Sequence, residues 1–244
     1  RFMPATARFL QGFYPWLNRE LGIERPARCR FTYLQCSHHQ TEWRPEWIEP
    51  SLREAGFDVT FEPMYRLGVD MLALTDILYI PSSHDEFFLA SRQADLLAFL
   101  ERGGSLVICA EPCRPWLPFM APFVAVPPRP FTNIKVRVKD DRLGIFVDLG
   151  DGFDGWKGVF GQYARGWTDP PAGAVQITEI GPENDPKPAD WLWRYPAESG
   201  RGGFVFMHNG DNLTRYPDHG PNKEALVARV ATAVRRLMVG ESLF

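Results

Sequence analysis

Cysteine is scarce in this sequence, and charge of neither sign dominates it. Its four cysteines, Cys29, Cys36, Cys109 and Cys113, are too few for a disulfide scaffold in 244 residues, and their spacing forms no complete zinc-ligand pattern. We therefore expect free thiols, a reducing compartment and a cytoplasmic protein. The 27 Lys and Arg against 30 Asp and Glu leave a net charge of -3, which excludes a general attraction to nucleic acid or anionic membranes.

Long apolar runs are also missing. A membrane span needs roughly 20 apolar residues, and the run at 72–80 is broken by Thr75 and Asp76. Residues 1–22 mix aromatic and charged side chains without a continuous apolar centre, which argues against a secretory signal. No glycine-rich turn opens a helix with Lys and Ser/Thr, so no phosphate-binding loop is indicated. We expect a soluble protein that binds neither membrane nor nucleic acid and carries no cofactor.

What the sequence does contain is an alternation of strand and helix patterns. Strands are predicted at 29–35, 57–61, 76–80 and 106–109, and helices at 47–55 and 91–102. Gly56 and Gly103 follow the two helices, where a C-cap glycine is typical. This order predicts an α/β fold with a doubly wound parallel sheet over 28–244, preceded by an N-terminal helical extension at 1–27.

Proline punctuates the second half of the chain. Residues from about 112 to 200 are predicted as an inserted, Pro-rich meander of short strands, followed by a last core strand at 203–207 and a helix at 222–238. Tryptophans cluster in the insertion, where they would either stack on a flat ligand such as a sugar or seal a small satellite core. The segment 161–167 is a candidate for part of a lid.

Two predicted strands end in reactive side chains. Cys109 ends one strand and His208 the other, and Asp211 follows closely. If both strands are parallel, Cys109 and His208 meet at the carboxyl edge of the sheet, where ligands bind in open α/β folds. A thiol with a pKa of about 8.5 gains thiolate character beside an imidazole, which suits nucleophilic catalysis. The competing interpretation is that Cys109 is a small hydrophobic residue at the end of a buried strand.

Other polar residues follow predicted strand ends and are candidates for ligand binding. These residues are His38, His39, Ser83, His84, Asp85 and Glu111. Their convergence would form a polar pocket, but their spacing matches no known metal-ligand motif, and we assign no metal. Asp85 has an alternative role as a charge at a helix N-terminus.

The order of these segments resembles the class I glutamine amidotransferase-like superfamily, and within it the trehalose-utilisation (ThuA-like) proteins. The resemblance covers about residues 28–111 and 200–240. It is carried by Cys36-Ser-His38-His39, Ser51-Leu-Arg-Glu-Ala-Gly-Phe-Asp-Val-Thr60, Thr75-Asp-Ile-Leu-Tyr-Ile80, Gly103-Gly-Ser-Leu-Val-Ile-Cys109 and Gly203-Phe-Val-Phe-Met-His208. It implies a flavodoxin-like core with a site at the carboxyl edge of the sheet.

The same resemblance exposes departures from the glutaminase motif. It implies that Cys109 stands at the position of the family's nucleophile and His208 at that of its base. However, Ala110 and Glu111 replace the glycine-containing turn after the nucleophile, and Asn209-Gly210 stand where the family's Pro-Glu would follow the histidine. Asp211 comes one residue too late, but a loop could still deliver it to the histidine, and we include it among the candidate catalytic residues.

Two hypotheses from different classes follow. The first is an amidotransferase-like domain without glutaminase activity that binds a small polar, sugar-related ligand or a partner protein, with homo-oligomers as an open possibility. The alternative is an enzyme that acts on a small polar or carbohydrate-derived substrate through Cys109 and His208 or through a metal held by the histidines and aspartates.

Overall fold

The computed structural model describes residues 29–36, 48–147, 149, 153–154, 161, 163–196, 202–213 and 224–241. The predicted N-terminal helix and the predicted ligand residues His38 and His39 lie outside these described residues.

Strands and helices alternate along the first half of the described chain, as the apolar pattern predicts. The strands are β1 (Arg30–Gln35), β2 (Asp58–Pro63), β3 (Ile77–Ile80), β4 (Ser105–Cys109), β5 (Val124–Ala125), β6 (Arg137–Val138), β7 (Gly166–Trp167), β8 (Val175–Ile180), β9 (Lys187–Arg194) and β10 (Phe204–His208). The helices are α1 (Glu49–Glu54), α2 (Val69–Ala73), α3 (Glu86–Ser91), α4 (Gln93–Glu101) and α5 (Glu224–Met238), with 3-10 turns at Met64–Arg66 and Phe131–Ile134.

The centre of the fold is an eight-stranded sheet in the order β2-β1-β3-β4-β10-β9-β8-β6. The first five strands in this order are parallel to one another, and the remaining three continue the sheet with antiparallel pairings. The protein is therefore an α/β protein with a mostly parallel central sheet, and the carboxyl ends of β1, β3, β4 and β10 lie along one edge.

Helices cover both faces of this sheet, which explains why β3, β4 and β10 are buried throughout and are apolar except at Ser105 and His208. On one face, Phe31, Tyr79 and Phe206 pack in a cluster with residues of α1 and α5. On the other face, Ile80 and Ile108 pack with residues of α3 and α4. Each strand residue thus alternates between two separate apolar layers.

The Pro-rich region differs from its prediction in one respect. Short strands are present there, since β5, β6 and β7 each span two residues. The expectation of a meander made only of short strands is wrong for β8 and β9, which span six and eight residues and extend the central sheet. The reason is burial: Trp191 and Leu192 are both fully buried on opposite faces of β9.

None of the described helices is long and apolar enough to cross a membrane. All four cysteines are described, and each carries a free thiol, as the sequence predicts.

Candidate functional site

Cys109 and His208 meet at the carboxyl edge, as the two apolar runs predict. β4 and β10 are parallel neighbours, and Cys109 pairs with His208 in their register. Neighbouring strands lie about 4.7–4.9 Å apart, and register partners point to the same face of the sheet. The sheet thus places a thiol and an imidazole side by side.

The Cys109 side chain is not in the state that a nucleophile requires. It is fully buried, and its Sγ lies 3.1 Å from the hydroxyl of Tyr79 on the neighbouring strand β3. Burial raises the pKa of the Cys109 thiol to about 12, because the desolvation of a thiolate outweighs the opposing hydrogen bond from Tyr79. At neutral pH the side chain is a protonated thiol inside the core, which is the competing interpretation that the sequence leaves open.

His208 instead belongs to a buried polar row that sequence reasoning missed. Its Nδ1 lies 2.6 Å from Oδ1 of Asp190, its register partner on the antiparallel neighbour β9. The other carboxylate oxygen, Oδ2, accepts hydrogen bonds from the Thr178 hydroxyl at 2.5 Å and the Tyr163 hydroxyl at 2.8 Å. All four side chains are buried. The row extends across β8, β9 and β10, and β4 adds Cys109 at its end.

The side-chain hydrogen bonds of Cys109 and His208 point away from each other, toward opposite sides of the β4–β10 pair. The thiol bonds toward β3, whereas the imidazole bonds toward β9. Because β4 and β10 lie between these two strands, neither hydrogen bond couples the thiol to the imidazole. The register brings the two residues together, their side-chain hydrogen bonds go to Tyr79 and Asp190, and a catalytic role of the pair stays a prediction.

The meander closes over the imidazole of His208. The Tyr163 ring packs edge-on against the imidazole, with 4.5 Å between ring centroids. At Gly210, a Cβ atom would lie 2.2 Å from the Tyr163 carbonyl oxygen and 3.0 Å from Nε2 of His208. Only glycine allows this approach without a shift of the Tyr163 backbone. The segment predicted as part of a lid is packed on His208, which is 1% exposed.

Asp211 lies in the turn after β10 and is half-buried. The carboxylate that bonds His208 belongs to Asp190, and the predicted catalytic role of Asp211 stays a prediction. The signal that could have identified Asp190 is an acidic residue between apolar residues of a strand, in Ala189-Asp-Trp-Leu-Trp193. Asn212, which directly follows Asp211, accepts a hydrogen bond from the backbone N–H of Ser82 at 2.8 Å, which ties the end of β10 to the end of β3.

The remaining predicted ligand residues line the same edge. Ser83 and Glu111 are exposed. His84 is half-buried, its Nδ1 lies 2.7 Å from the Pro81 carbonyl oxygen, and its ring packs edge-on against Trp116. Asp85 caps helix α3, since its Oδ1 accepts hydrogen bonds from two backbone N–H groups. The alternative role of Asp85 at a helix N-terminus is therefore present, and ligand binding by these residues stays a prediction.

The burial of His84 predicts a pH dependence of stability. Desolvation lowers the pKa of His84 below its ordinary value of 6.5 in the folded protein. Protonation of His84 therefore favours the unfolded chain, so its contribution to stability is complete above about pH 6.5 and is lost as the pH falls below that value. We expect His84→Gln to lose less stability than the wild type between pH 7.5 and 5.5, as measured by urea unfolding. Equal losses in the two proteins would contradict this assignment.

The described residues contain no cluster of three or more His, Cys, Asp or Glu side chains placed to hold a metal ion. Cys109, His208 and Asp190 are buried, whereas Ser83 and Glu111, which follow β3 and β4, are exposed polar groups at the carboxyl edge.

The fold and this edge define an α/β domain with a mostly parallel sheet, and comparisons with known proteins add a likeness of fold. No protein-family model and no curated protein matches the sequence. A solved structure described as "mmIFT52 N-terminal domain" resembles this chain with a TM-score of 0.54 and 10% sequence identity, over 88% of this chain and 99% of that chain. At this identity the likeness concerns the fold alone.

Proposed function

We propose that this chain is a binding domain with a flavodoxin-like, amidotransferase-like fold that has no glutaminase activity and holds a small polar ligand at the carboxyl edge of its sheet. The order of the five parallel strands, β2-β1-β3-β4-β10, is the 2-1-3-4-5 order of flavodoxin-like sheets and supports this part of the proposal. The resemblance of the sequence to the ThuA-like proteins points to the same fold.

The observation that carries the proposal is the state of Cys109. A glutaminase of this type needs an accessible thiolate. Here the thiol is fully buried, and burial raises its pKa to about 12. His208 faces Asp190 and lies under Tyr163. Both side chains that the resemblance assigns to catalysis, Cys109 and His208, are therefore buried and packed against neighbouring residues.

The binding region is the crevice beside the ends of β1 and β3. In the 2-1-3-4-5 order, the direction in which strands are added to the sheet reverses between β1 and β3. Ligands bind in the crevice that this reversal leaves outside the carboxyl ends of the two strands. Ser82, Ser83 and His84 follow β3 there, and the Asn212 contact holds the Ser82 backbone in place. Since Nδ1 of His84 bonds to a carbonyl oxygen, it carries the proton of the neutral ring, and Nε2 is left as an acceptor for a hydroxylated ligand.

Thiol labelling tests the proposal. We expect iodoacetamide, applied to the folded protein between about pH 5 and 9 and read by mass spectrometry at each cysteine, to modify Cys109 only at the rate of global unfolding. Burial also raises the pKa values of Cys29 and Cys36 to about 12, so both should label slowly. The exposed Cys113 is an internal control that should label first.

Fast labelling of Cys109 that disappears in His208→Ala would overturn the proposal. It would favour the alternative, a Cys/His-dependent enzyme acting on a small polar or carbohydrate-derived substrate. One observation supports that alternative, namely the 2.6 Å contact between His208 and Asp190, because a carboxylate commonly orients a catalytic imidazole.

A further inference from the structure

Two large aromatic side chains are exposed beside the candidate binding region. Tyr65 is 60% exposed and Phe87 is 69% exposed. Tyr65 belongs to the 3-10 turn after β2, and Phe87 to the first turn of α3 after β3. Together with Phe88 and Arg114, they form what we term the aromatic–arginine patch.

The patch is held in place by contacts of the fold. Asp85 accepts hydrogen bonds from the backbone N–H groups of Phe87 and Phe88 at 2.9 and 3.0 Å. The second carboxylate oxygen of Asp85 accepts a hydrogen bond from the Tyr65 hydroxyl at 3.2 Å. The Tyr65 ring packs edge-on against the Phe88 ring, with 4.9 Å between centroids. A single carboxylate thus caps the helix and fixes the orientation of Tyr65, so binding at the patch requires little further ordering of side chains.

The Arg114 guanidinium supplies the charge of the patch. It lies 4.3 Å from the centroid of the Phe87 ring. Among the described residues, Arg114 has no ion pair with a carboxylate. Two carboxylates border the patch, and both are engaged: Asp85 caps the helix, and Glu86 accepts a hydrogen bond from the Cys113 backbone N–H at 2.8 Å. The patch therefore offers apolar ring surface and guanidinium donors, and this combination matches a partner that brings an acidic side chain beside apolar ones.

We propose that the aromatic–arginine patch is a docking surface for a protein segment that carries an acidic residue flanked by apolar residues. This inference rests on the proposed role as a binding domain. Tyr, Phe and Arg are enriched at the centres of protein interfaces and include the residues whose truncation costs most binding energy.

Selection from a random peptide library displayed on phage tests this proposal. We expect the wild-type chain to enrich peptides with Asp or Glu beside apolar residues, and Phe87→Ser to weaken the binding of a selected peptide by about tenfold or more. The Arg114→Glu variant should no longer bind these peptides, and it should instead enrich peptides that have Lys or Arg at the position of the acidic residue. Phe131→Ser is the matched control, because Phe131 is 67% exposed and lies outside the patch.

Three outcomes would overturn the proposal. The first is that the wild-type chain enriches no peptides beyond those enriched on Phe87→Ser, or that the enriched peptides bind equally well to the wild type and to Arg114→Glu. The second is a dimer of the chain alone in sedimentation that Phe87→Ser abolishes, which would assign the patch to a second copy. The third is binding on a glycan array that requires Phe87, which would assign it to a sugar. Since thiol labelling reports on Cys109, failure of this proposal is distinguishable from failure of the proposed function.

Discussion

Replacing Asp190 by Ala is expected to lower the free energy of unfolding by about 3–5 kcal/mol, because three buried groups lose their hydrogen-bond acceptor and each such loss costs roughly 1–3 kcal/mol. The carboxylate is fully buried and accepts three side-chain hydrogen bonds, from His208, Thr178 and Tyr163. Without it, an imidazole and two hydroxyl groups remain buried without their acceptor, and each loses a partner that water cannot replace. The measurement is urea unfolding followed by far-UV circular dichroism.

Two variants make the Asp190 experiment specific. Asp185→Ala removes the same side chain from an exposed position, where the carboxylate pairs with Lys187 at the surface, and should change stability by less than about 0.5 kcal/mol. Asp190→Asn keeps an acceptor oxygen, so its loss of unfolding free energy should be larger than that of Asp185→Ala and smaller than that of Asp190→Ala. A loss of less than about 1 kcal/mol for Asp190→Ala would contradict the hydrogen-bond arrangement described for the row.

The sequence predicts the position of Cys109 and His208 because that position depends on local patterns. Each residue ends a short apolar run, and runs of this kind become buried parallel strands whose carboxyl ends share an edge. Prediction of β3 and of helix α5 succeeds for the same reason, since both have a clear apolar pattern.

The role of Asp190 could not be predicted in this way. Asp190 reaches His208 only because β9 pairs antiparallel with β10 in the register that places these two residues opposite each other. That register depends on the packing of Trp191 and Leu192 on opposite faces, and therefore on contacts between segments distant in sequence. A lone acidic residue in a strand does not reveal its partner.

The chemistry of Cys109 also depends on tertiary structure. The sequence shows a thiol near a histidine, which is compatible with a nucleophile and with a core residue. The decision comes from burial under the cluster that contains Tyr79 and from the direction of the two hydrogen bonds. Desolvation is the largest influence on this pKa, and it outweighs the hydrogen bond from Tyr79 that favours the thiolate.

Gly210 allows the meander to close over His208, and its replacement should show this directly. A Cβ atom at residue 210 would lie 2.2 Å from the Tyr163 carbonyl oxygen, and that oxygen belongs to backbone, which yields less easily than a flexible side chain. We expect Gly210→Ala to destabilise the protein by about 3 kcal/mol, the upper end of the cost of overpacking. The substitution must also displace Tyr163 from its contact with His208 and its hydrogen bond to Asp190.

Two measurements separate this close approach from a general effect of removing glycine. Gly68→Ala is the matched control, because the nearest atom to a Cβ there is 4.0 Å away, and it should change the free energy of unfolding by less than about 1 kcal/mol. Hydrogen exchange should show faster exchange in 163–167 in Gly210→Ala than in the wild type, since the displaced meander opens more readily. Wild-type stability together with unchanged exchange in Gly210→Ala would contradict the packing of the meander on His208.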